Sequence, residues 1–275
     1  MVSSAAIFCV IISLLISLVL PVGLLILVAV KNRKQGILSA WLLGAAGFFV
    51  TQILIRFPIL TALQSKSWFL TFSQTHLFGY AFALAFTAGL FELAGRFAVA
   101  KLLRKKLTYQ RSLAAGLGHG GIEAMMLVGI TYINNLAYIA AINSGAFDAM
   151  VAQSAAMGVD PAQLEMIRTQ LIATSPMLFL LGGFERLLAM TAHAAMSMLV
   201  CYGVARKKVL PCTLVCLLIH TFIDLTAGLT LVLPQVVAYP IIYVILVVVA
   251  AFSLWILKDI RRRWQEKEVS YDSEK

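Results

Sequence analysis

Charged residues are scarce in this chain of 275 residues. Only 12% of the residues are Asp, Glu, Lys or Arg, whereas 61% are hydrophobic. This balance excludes an ordinary soluble domain, whose surface needs far more charge. Apolar runs of about 18 residues or more recur along the whole length, which is typical of a polytopic helical membrane protein.

Cysteine is also rare, and its positions exclude a disulfide framework. The four cysteines all fall in or at the edge of apolar runs: Cys9, Cys201, Cys212 and Cys216. An extracellular disulfide scaffold would place them in polar loops instead. The chain further lacks a basic stretch before its first apolar run, so we expect that run to be a retained helix rather than a cleaved signal peptide.

The apolar runs predict seven spans. Backbone polar groups must be paired within the chain in hydrocarbon, so the spans are expected to be helices. The fold class is therefore an all-α transmembrane bundle, a single membrane domain over residues 1–264 followed by a polar cytoplasmic tail at 265–275. The predicted spans are 4–30, 36–62, 76–100, 110–142, 177–205, 209–233 and 236–257.

The net charge of +10 is distributed unevenly between the loops. Basic residues concentrate after spans one, three, five and seven, and the alternate loops hold few of them. By the positive-inside rule, this pattern predicts an N-terminus outside and a C-terminus in the cytoplasm of a cell-membrane protein. It also favours contact with membrane lipids and argues against nucleic acid as a partner, because no soluble basic domain is present.

The outer loop 143–176 contains a helix signal. Asp160 precedes Pro161, and apolar residues then recur on one face at Leu164, Ile167 and Leu171. This pattern predicts a short amphipathic helix lying on the bilayer or over the span mouths. A plain connecting loop and a lid that guides substrate both remain open.

Ionisable residues inside the spans are the main functional signal. A charge at mid-bilayer costs about 2.5–3.5 kcal/mol, so each such group must pair, face water or bind an ion. With neutral histidines the set has one spare negative charge, which suits a bound cation. The ten residues are Arg56, Glu92, Arg96, His119, Glu123, Glu185, Arg186, His193, His220 and Asp224.

Spacing and depth bring several of these groups together. Three pairs are four residues apart on one helix and share a face: Glu92 with Arg96, His119 with Glu123, and His220 with Asp224. At the helical rise, Glu123 and His220 lie about 18 Å, and His193 about 20 Å, from the nearest cytoplasmic basic residue. His119 comes at about 12 Å, Glu92 at about 14 Å and Asp224 at about 24 Å, whereas Glu185 and Arg186 come near 30 Å and suit a gate or a second layer.

Two histidines with one or two carboxylates form a zinc ligand set. Catalytic zinc keeps one position open, activates water and polarises a carbonyl, and a nearby carboxylate can act as general base. The spacing therefore predicts hydrolysis within the membrane. A proton or cation pathway is compatible with the same residues, since chains of His, Asp and Glu also build relays.

Three segments carry a family resemblance. Gly118 to Ala124 (GHGGIEA), Glu185-Arg186 with His193, and His220 to Asp224 (HTFID) resemble the YhfC family of intramembrane metalloproteases. That family is similar to the CAAX prenyl protease and bacteriocin-processing superfamily, with the PrsW proteases and the scaffold subunit of gamma-secretase. This chain departs from the superfamily pattern at three positions. It has Phe91 where the pattern has a glutamate, Ala189 where it has a phenylalanine, and Asp224 where it has an asparagine.

The resemblance and the spacing together imply a metal-dependent peptidase that cuts a membrane-embedded or membrane-proximal peptide. His193 and His220 are expected to hold a divalent metal, zinc by its ligand set, with Glu123 or Glu92 and Asp224 completing the shell. The remaining glutamate would activate water, His119 would assist, and Arg96 would orient Glu92. The alternatives are a non-catalytic scaffold or chaperone like the gamma-secretase subunit, and a small cation or proton transporter.

Overall fold

The computed structural model describes residues 1–33, 35–158 and 160–273, with side chains described as far as Gln265. The end of the predicted tail 265–275 therefore lies outside the described residues. All regular elements in the described ranges are helices, as the composition predicts. The α-helices are α1 (Ser4–Leu14), α2 (Leu20–Lys31), α3 (Ile37–Phe48), α4 (Phe57–Gln64), α5 (Ser67–Thr75), α6 (Leu77–Leu103), α7 (Tyr109–Glu123), α8 (Ile130–Ser144), α9 (Phe147–Ala156), α10 (Pro161–Ala173), α11 (Pro176–Ala205), α12 (Val209–Ala227) and α13 (Gln235–Ser273).

Seven helical stretches in the described residues are long and apolar enough to cross a membrane. The predicted all-α bundle of about seven spans is thereby confirmed, while the orientation of its termini stays a prediction. The spans are Ser4–Lys31, Ile37–Gln64, Leu77–Lys106, Tyr109–Ser144, Pro176–Ala205, Val209–Leu231 and Gln235–Gln265.

Three spans contain a wider, π-helical stretch. These stretches are Leu15–Val19, Phe49–Arg56 and Ala124–Gly129. The last lies in the fourth span, which is 36 residues long and exceeds what a bilayer needs. Such stretches change which residues share a face and occur often at functional sites.

The described chain separates into two compact units. The first contains residues 1–22 and 124–187, and the second contains residues 23–123 and 188–275. In the first unit α1 packs against α8. The hydroxyls of Ser13 and Tyr132 both donate to the carbonyl of Phe179, each at 2.7 Å, so a polar anchor ties three segments of this unit together.

The loop 143–176, which the sequence predicts to be outside, folds into two helices within the first unit. Gly145 closes α8 in the left-handed conformation, at a φ of 81°, which glycine adopts without steric cost. α9 follows, and α10 then begins at Pro161, where the Asp160 carboxylate accepts a hydrogen bond from the backbone N–H of Ala162 at 2.9 Å. Leu164 and Leu171 are buried on one face of α10.

In the second unit, the glycines of α7 allow close packing on two sides. α3 packs along α7, and a Cβ at Gly118 would collide with the backbone carbonyl of Trp41 in α3. On another face, a Cβ at Gly120 would lie 2.8 Å from the Cβ of His193 in α11. Close approach of helices through small residues is the usual packing mode in membranes. It places His119, between the two glycines, among the side chains of neighbouring helices.

Candidate metal centre

Glu92 and Arg96 form a buried pair on α6. They are one helical turn apart, and Nη2 of Arg96 lies 3.0 Å from Oε2 of Glu92. Glu92 is 4% and Arg96 2% exposed. An isolated carboxylate at this burial would be costly, so the guanidinium accounts for a charged glutamate in the interior.

Three histidines surround the same carboxylate oxygen. Nε2 of His119, from α7, lies 2.9 Å from Oε2 of Glu92. Nδ1 of His193, from α11, and Nδ1 of His220, from α12, each lie 3.6 Å from that oxygen. Four helices therefore direct one carboxylate and three imidazoles to a common point. All three histidines are buried.

The other ring nitrogens of two histidines meet carboxylates. Nε2 of His193 lies 2.8 Å from Oε2 of Glu123, and Nε2 of His220 lies 3.2 Å from Oδ2 of Asp224. A carboxylate on the outer nitrogen orients the ring of a metal-binding histidine and raises its basicity. Glu123 and Asp224, both predicted as ligands, thus contact the histidines on the ring nitrogen that does not face Glu92.

Arg96 determines the tautomers of these two rings. Its Nη2 lies 2.6 Å from Nδ1 of His193 and its Nη1 lies 3.4 Å from Nδ1 of His220. A guanidinium only donates, so each Nδ1 accepts through its lone pair, and the hydrogen must then be on Nε2. There His220 bonds Asp224, and Oε2 of Glu123 lies 2.8 Å from Nε2 of His193. Both rings consequently direct an Nδ1 lone pair to the centre of the cluster, where the Arg96 guanidinium now contacts it.

Gln52 and Arg56 belong to the site although the sequence analysis did not single out Gln52. Nε2 of Gln52 donates to Oε1 of Glu92 at 2.8 Å, and Nη1 of Arg56 donates to Oε1 of Gln52 at 3.2 Å. Both residues lie on the π-helical stretch Phe49–Arg56 and are buried. The sequence contains a signal for Gln52, because its amide is four residues before Arg56, an arginine inside a span.

The donor set fits a divalent metal. Glu92, His119 and His193 each offer a ligand atom, and these atoms lie within 4.8 Å of one another. Two imidazole nitrogens and one carboxylate oxygen form a recognised set for catalytic zinc. Nδ1 of His119 is buried without a hydrogen-bond partner in the described part of the chain, so it is free to carry the proton when Nε2 binds a cation.

The charges around this point also favour a cation. Three carboxylates oppose two guanidiniums, and neutral histidines leave one negative charge in excess. The charged members are Glu92, Glu123, Asp224, Arg56 and Arg96.

A cavity of about 300 Å³ adjoins the His220–Asp224 pair. Asp224 and Arg56 contribute its charged groups, and Tyr80 contributes a phenol. Most of the remaining wall is apolar, from α6 and the end of α12. The side chain of Asp224 is 36% exposed, whereas that of Glu92 is 5% exposed, so Asp224 is the accessible end of the network.

Glu185 and Arg186 are in the other unit. They pair with one another there, with Nε of Arg186 2.8 Å from Oε2 of Glu185. Their predicted role as a gate or second layer stays a prediction.

The fold and the cluster define a multi-pass integral membrane protein whose interior gathers histidines and carboxylates. The family model of the YhfC intramembrane metalloproteases matches residues 16–249, so this chain belongs to the YhfC family. It is also 30% identical, over 83% of its length and 86% of the relative's, to the uncharacterized membrane protein YhfC of Bacillus subtilis (strain 168). No solved structure matches the chain.

Proposed function

We propose that this protein is a metal-dependent intramembrane peptidase whose metal is held by Glu92, His119 and His193. The observation that carries the proposal is the convergence of these three side chains on one buried point. His220, predicted as a ligand, faces the same oxygen of Glu92, and a set of three ligands leaves the fourth position open for water. Zinc suits this nitrogen and oxygen set best.

A bound metal would supply Lewis-acid chemistry, by polarising a peptide carbonyl and activating water. The surrounding side chains prepare the centre. Asp224 bonds Nε2 of His220, and the Glu123 carboxylate lies 2.8 Å from Nε2 of His193. Both contacts favour a hydrogen on Nε2 and an Nδ1 lone pair directed inwards. Gln52 donates to the oxygen of Glu92 that faces away from the histidine contacts and so fixes the rotation of that carboxylate.

We propose that the peptide substrate enters through the cavity at Asp224. Its apolar wall suits the side chains of a membrane-embedded peptide, while Arg56 and Asp224 offer partners to the polar backbone. Asp224 is in addition the best placed group to take up or deliver a proton, since it bonds His220 and is partly exposed.

A non-catalytic scaffold is the second candidate, and a specific observation favours it. The Arg96 guanidinium already contacts Glu92, His193 and His220, so these three side chains have a polar partner without a metal. A metal would take over the lone pairs that Arg96 now contacts. The two candidates therefore differ in whether the protein binds metal.

Metal analysis tests the proposal. The purified wild-type chain, equilibrated with zinc and freed of excess, is expected to retain about one ion per chain. His119→Gln and His193→Gln should lose it and lose peptide cleavage. His76→Gln is the matched control because His76 is exposed and lies outside the cluster.

Unfolding temperatures of all four proteins would separate loss of metal from loss of fold. A wild-type protein that retains no zinc, or His119→Gln and His193→Gln variants that retain as much as His76→Gln, would establish the scaffold instead.

A further inference from the structure

A second cavity, of about 440 Å³, lies at the ends of three spans. Its lining includes Lys31 at the end of the first span, Tyr109 at the start of the fourth, and Gln265 at the end of the last. All the residues that line this cavity belong to the second unit. Because span ends meet the headgroup layer, this cavity opens at a bilayer surface, and the basic loops predict that surface to be cytoplasmic. Its volume is within the range of about 300–1,000 Å³ of small-molecule sites.

Two cations line the cavity, and none of its lining residues within the described side chains is acidic. They are Lys31 and Arg261, both exposed. The neighbouring arginines differ from Arg261, because Arg262 and Arg263 both pair with Asp259. In the described residues Arg261 instead lies over the ring of Tyr109, at 6.0 Å from its centroid. Arg261 therefore lines the cavity without an ion pair to any described acidic residue.

The rest of the lining is amphipathic in the manner of a lipid site. Asn32, Gln110 and Gln265 supply amide groups, and the indole of Trp264 is buried against the ring of Tyr202. The membrane-ward wall is aliphatic and half-buried or exposed, formed by Leu27, Val28 and Leu113. A basic loop that only determined the orientation of the protein in the membrane would need its positive charges. It would need neither this concave shape nor this continuous apolar wall.

We infer that this cavity binds the headgroup of an anionic phospholipid. Lys31 and Arg261 bind the phosphate, the amides bind headgroup hydroxyls, and the first acyl carbons follow Leu27 and Leu113. Basic pockets between spans are the usual receptors for such lipids, and each basic residue strengthens binding severalfold. The site is separate from the Glu92 cluster, so it stands whether or not the protein is a peptidase.

Native mass spectrometry of the full chain in neutral detergent tests the site. Phosphatidylglycerol is expected to bind saturably and more tightly than phosphatidylcholine with the same acyl chains. Lys31→Gln/Arg261→Gln should weaken phosphatidylglycerol binding on the order of tenfold. The matched control is Lys105→Gln/Lys106→Gln, which removes the same charge from exposed positions outside the cavity and should bind as the wild type does.

Three outcomes would overturn the inference. Equal losses in the two double variants would mean that surface charge alone attracts the lipid. Equal binding of phosphatidylcholine would mean that the headgroup charge is not recognised. Displacement of the lipid by inorganic phosphate alone, at matched concentration, would mean that the cavity is a site for free phosphate.

Discussion

At the scale of single residues, Glu92 is the point on which the site depends. A buried ion pair contributes little net stability, but breaking it costs about 3–5 kcal/mol because one charge is left alone. Glu92 is held by Arg96, by Gln52 and by three histidines. This redundancy keeps a carboxylate ionised inside a membrane protein, which is a requirement both for holding a metal and for a purely structural network.

The positions of Glu123 and Asp224 predict a graded effect on metal binding. Glu123→Gln keeps an acceptor for Nε2 of His193 but removes the charge, so we expect zinc affinity to fall about 10–100-fold, as is usual for groups that orient a ligand. Glu92→Gln removes a proposed ligand and should abolish tight binding. Zinc titration in competition with a chelator measures both variants.

Glu165→Gln is the control for this prediction, since Glu165 lies on α10 in the other unit, where it pairs with Arg168. If Glu123→Gln abolished binding as completely as Glu92→Gln, Glu123 would itself be a ligand, as the spacing in the sequence first suggested.

At the scale of elements, α7 depends on the absence of side chains at its glycines. Gly118→Ala would force the backbones of α3 and α7 apart, because the added Cβ collides with the carbonyl of Trp41. We expect a loss of about 1–3 kcal/mol in the free energy of unfolding, the usual cost of overpacking. Gly23→Ala is the control, because a Cβ there meets nothing within 4 Å. Unfolding titrations in mixed detergent measure both variants, and equal stabilities would contradict this packing.

The sequence predicted the elements well but not their local geometry. Length and hydropathy are sufficient to find seven spans, because the bilayer imposes one helical solution on each apolar run. The π-helical stretch Phe49–Arg56 has no such signal, since it differs from an α-helix only in hydrogen-bond register. Gln52 contacts Glu92 from this stretch, and the sequence spacing, which points only to Arg56, does not contain that contact.

The arrangement of the histidines was predicted only in part. A rise of about 1.5 Å per residue, without tilt, separated His119 from His193 by about a turn or more. In the structure both rings reach the same carboxylate and stack at 5.5 Å between centroids. Sequence spacing does not contain this contact, because it fixes neither the tilt of each helix nor the reach of its side chains.

At the scale of the whole molecule, polarity is distributed as lipid requires. Large apolar side chains on the spans are exposed, such as Leu218 at 68% and Val244 at 65%, while Ser13, Ser112 and His119 are almost fully buried. In a bilayer the lipid solvates the apolar surface, so close packing and interior hydrogen bonds hold the helices together. A hydrophilic centre can be retained inside such a bundle because the apolar side chains that lipid solvates are on its exterior.

The basic loops predict the orientation of the bundle, and two new cysteines can measure it. Gln153 in α9 and Lys106 at the end of the third span are both exposed and lie on opposite predicted sides. A membrane-impermeant thiol reagent should label Gln153→Cys in intact cells, and Lys106→Cys only after permeabilisation. The native cysteines give little background, because Cys201, Cys212 and Cys216 are buried and Cys9 is half-buried. The reverse labelling pattern would mean that the protein has the opposite orientation. The proposed lipid cavity at Lys31 and Arg261 would then face the outer leaflet.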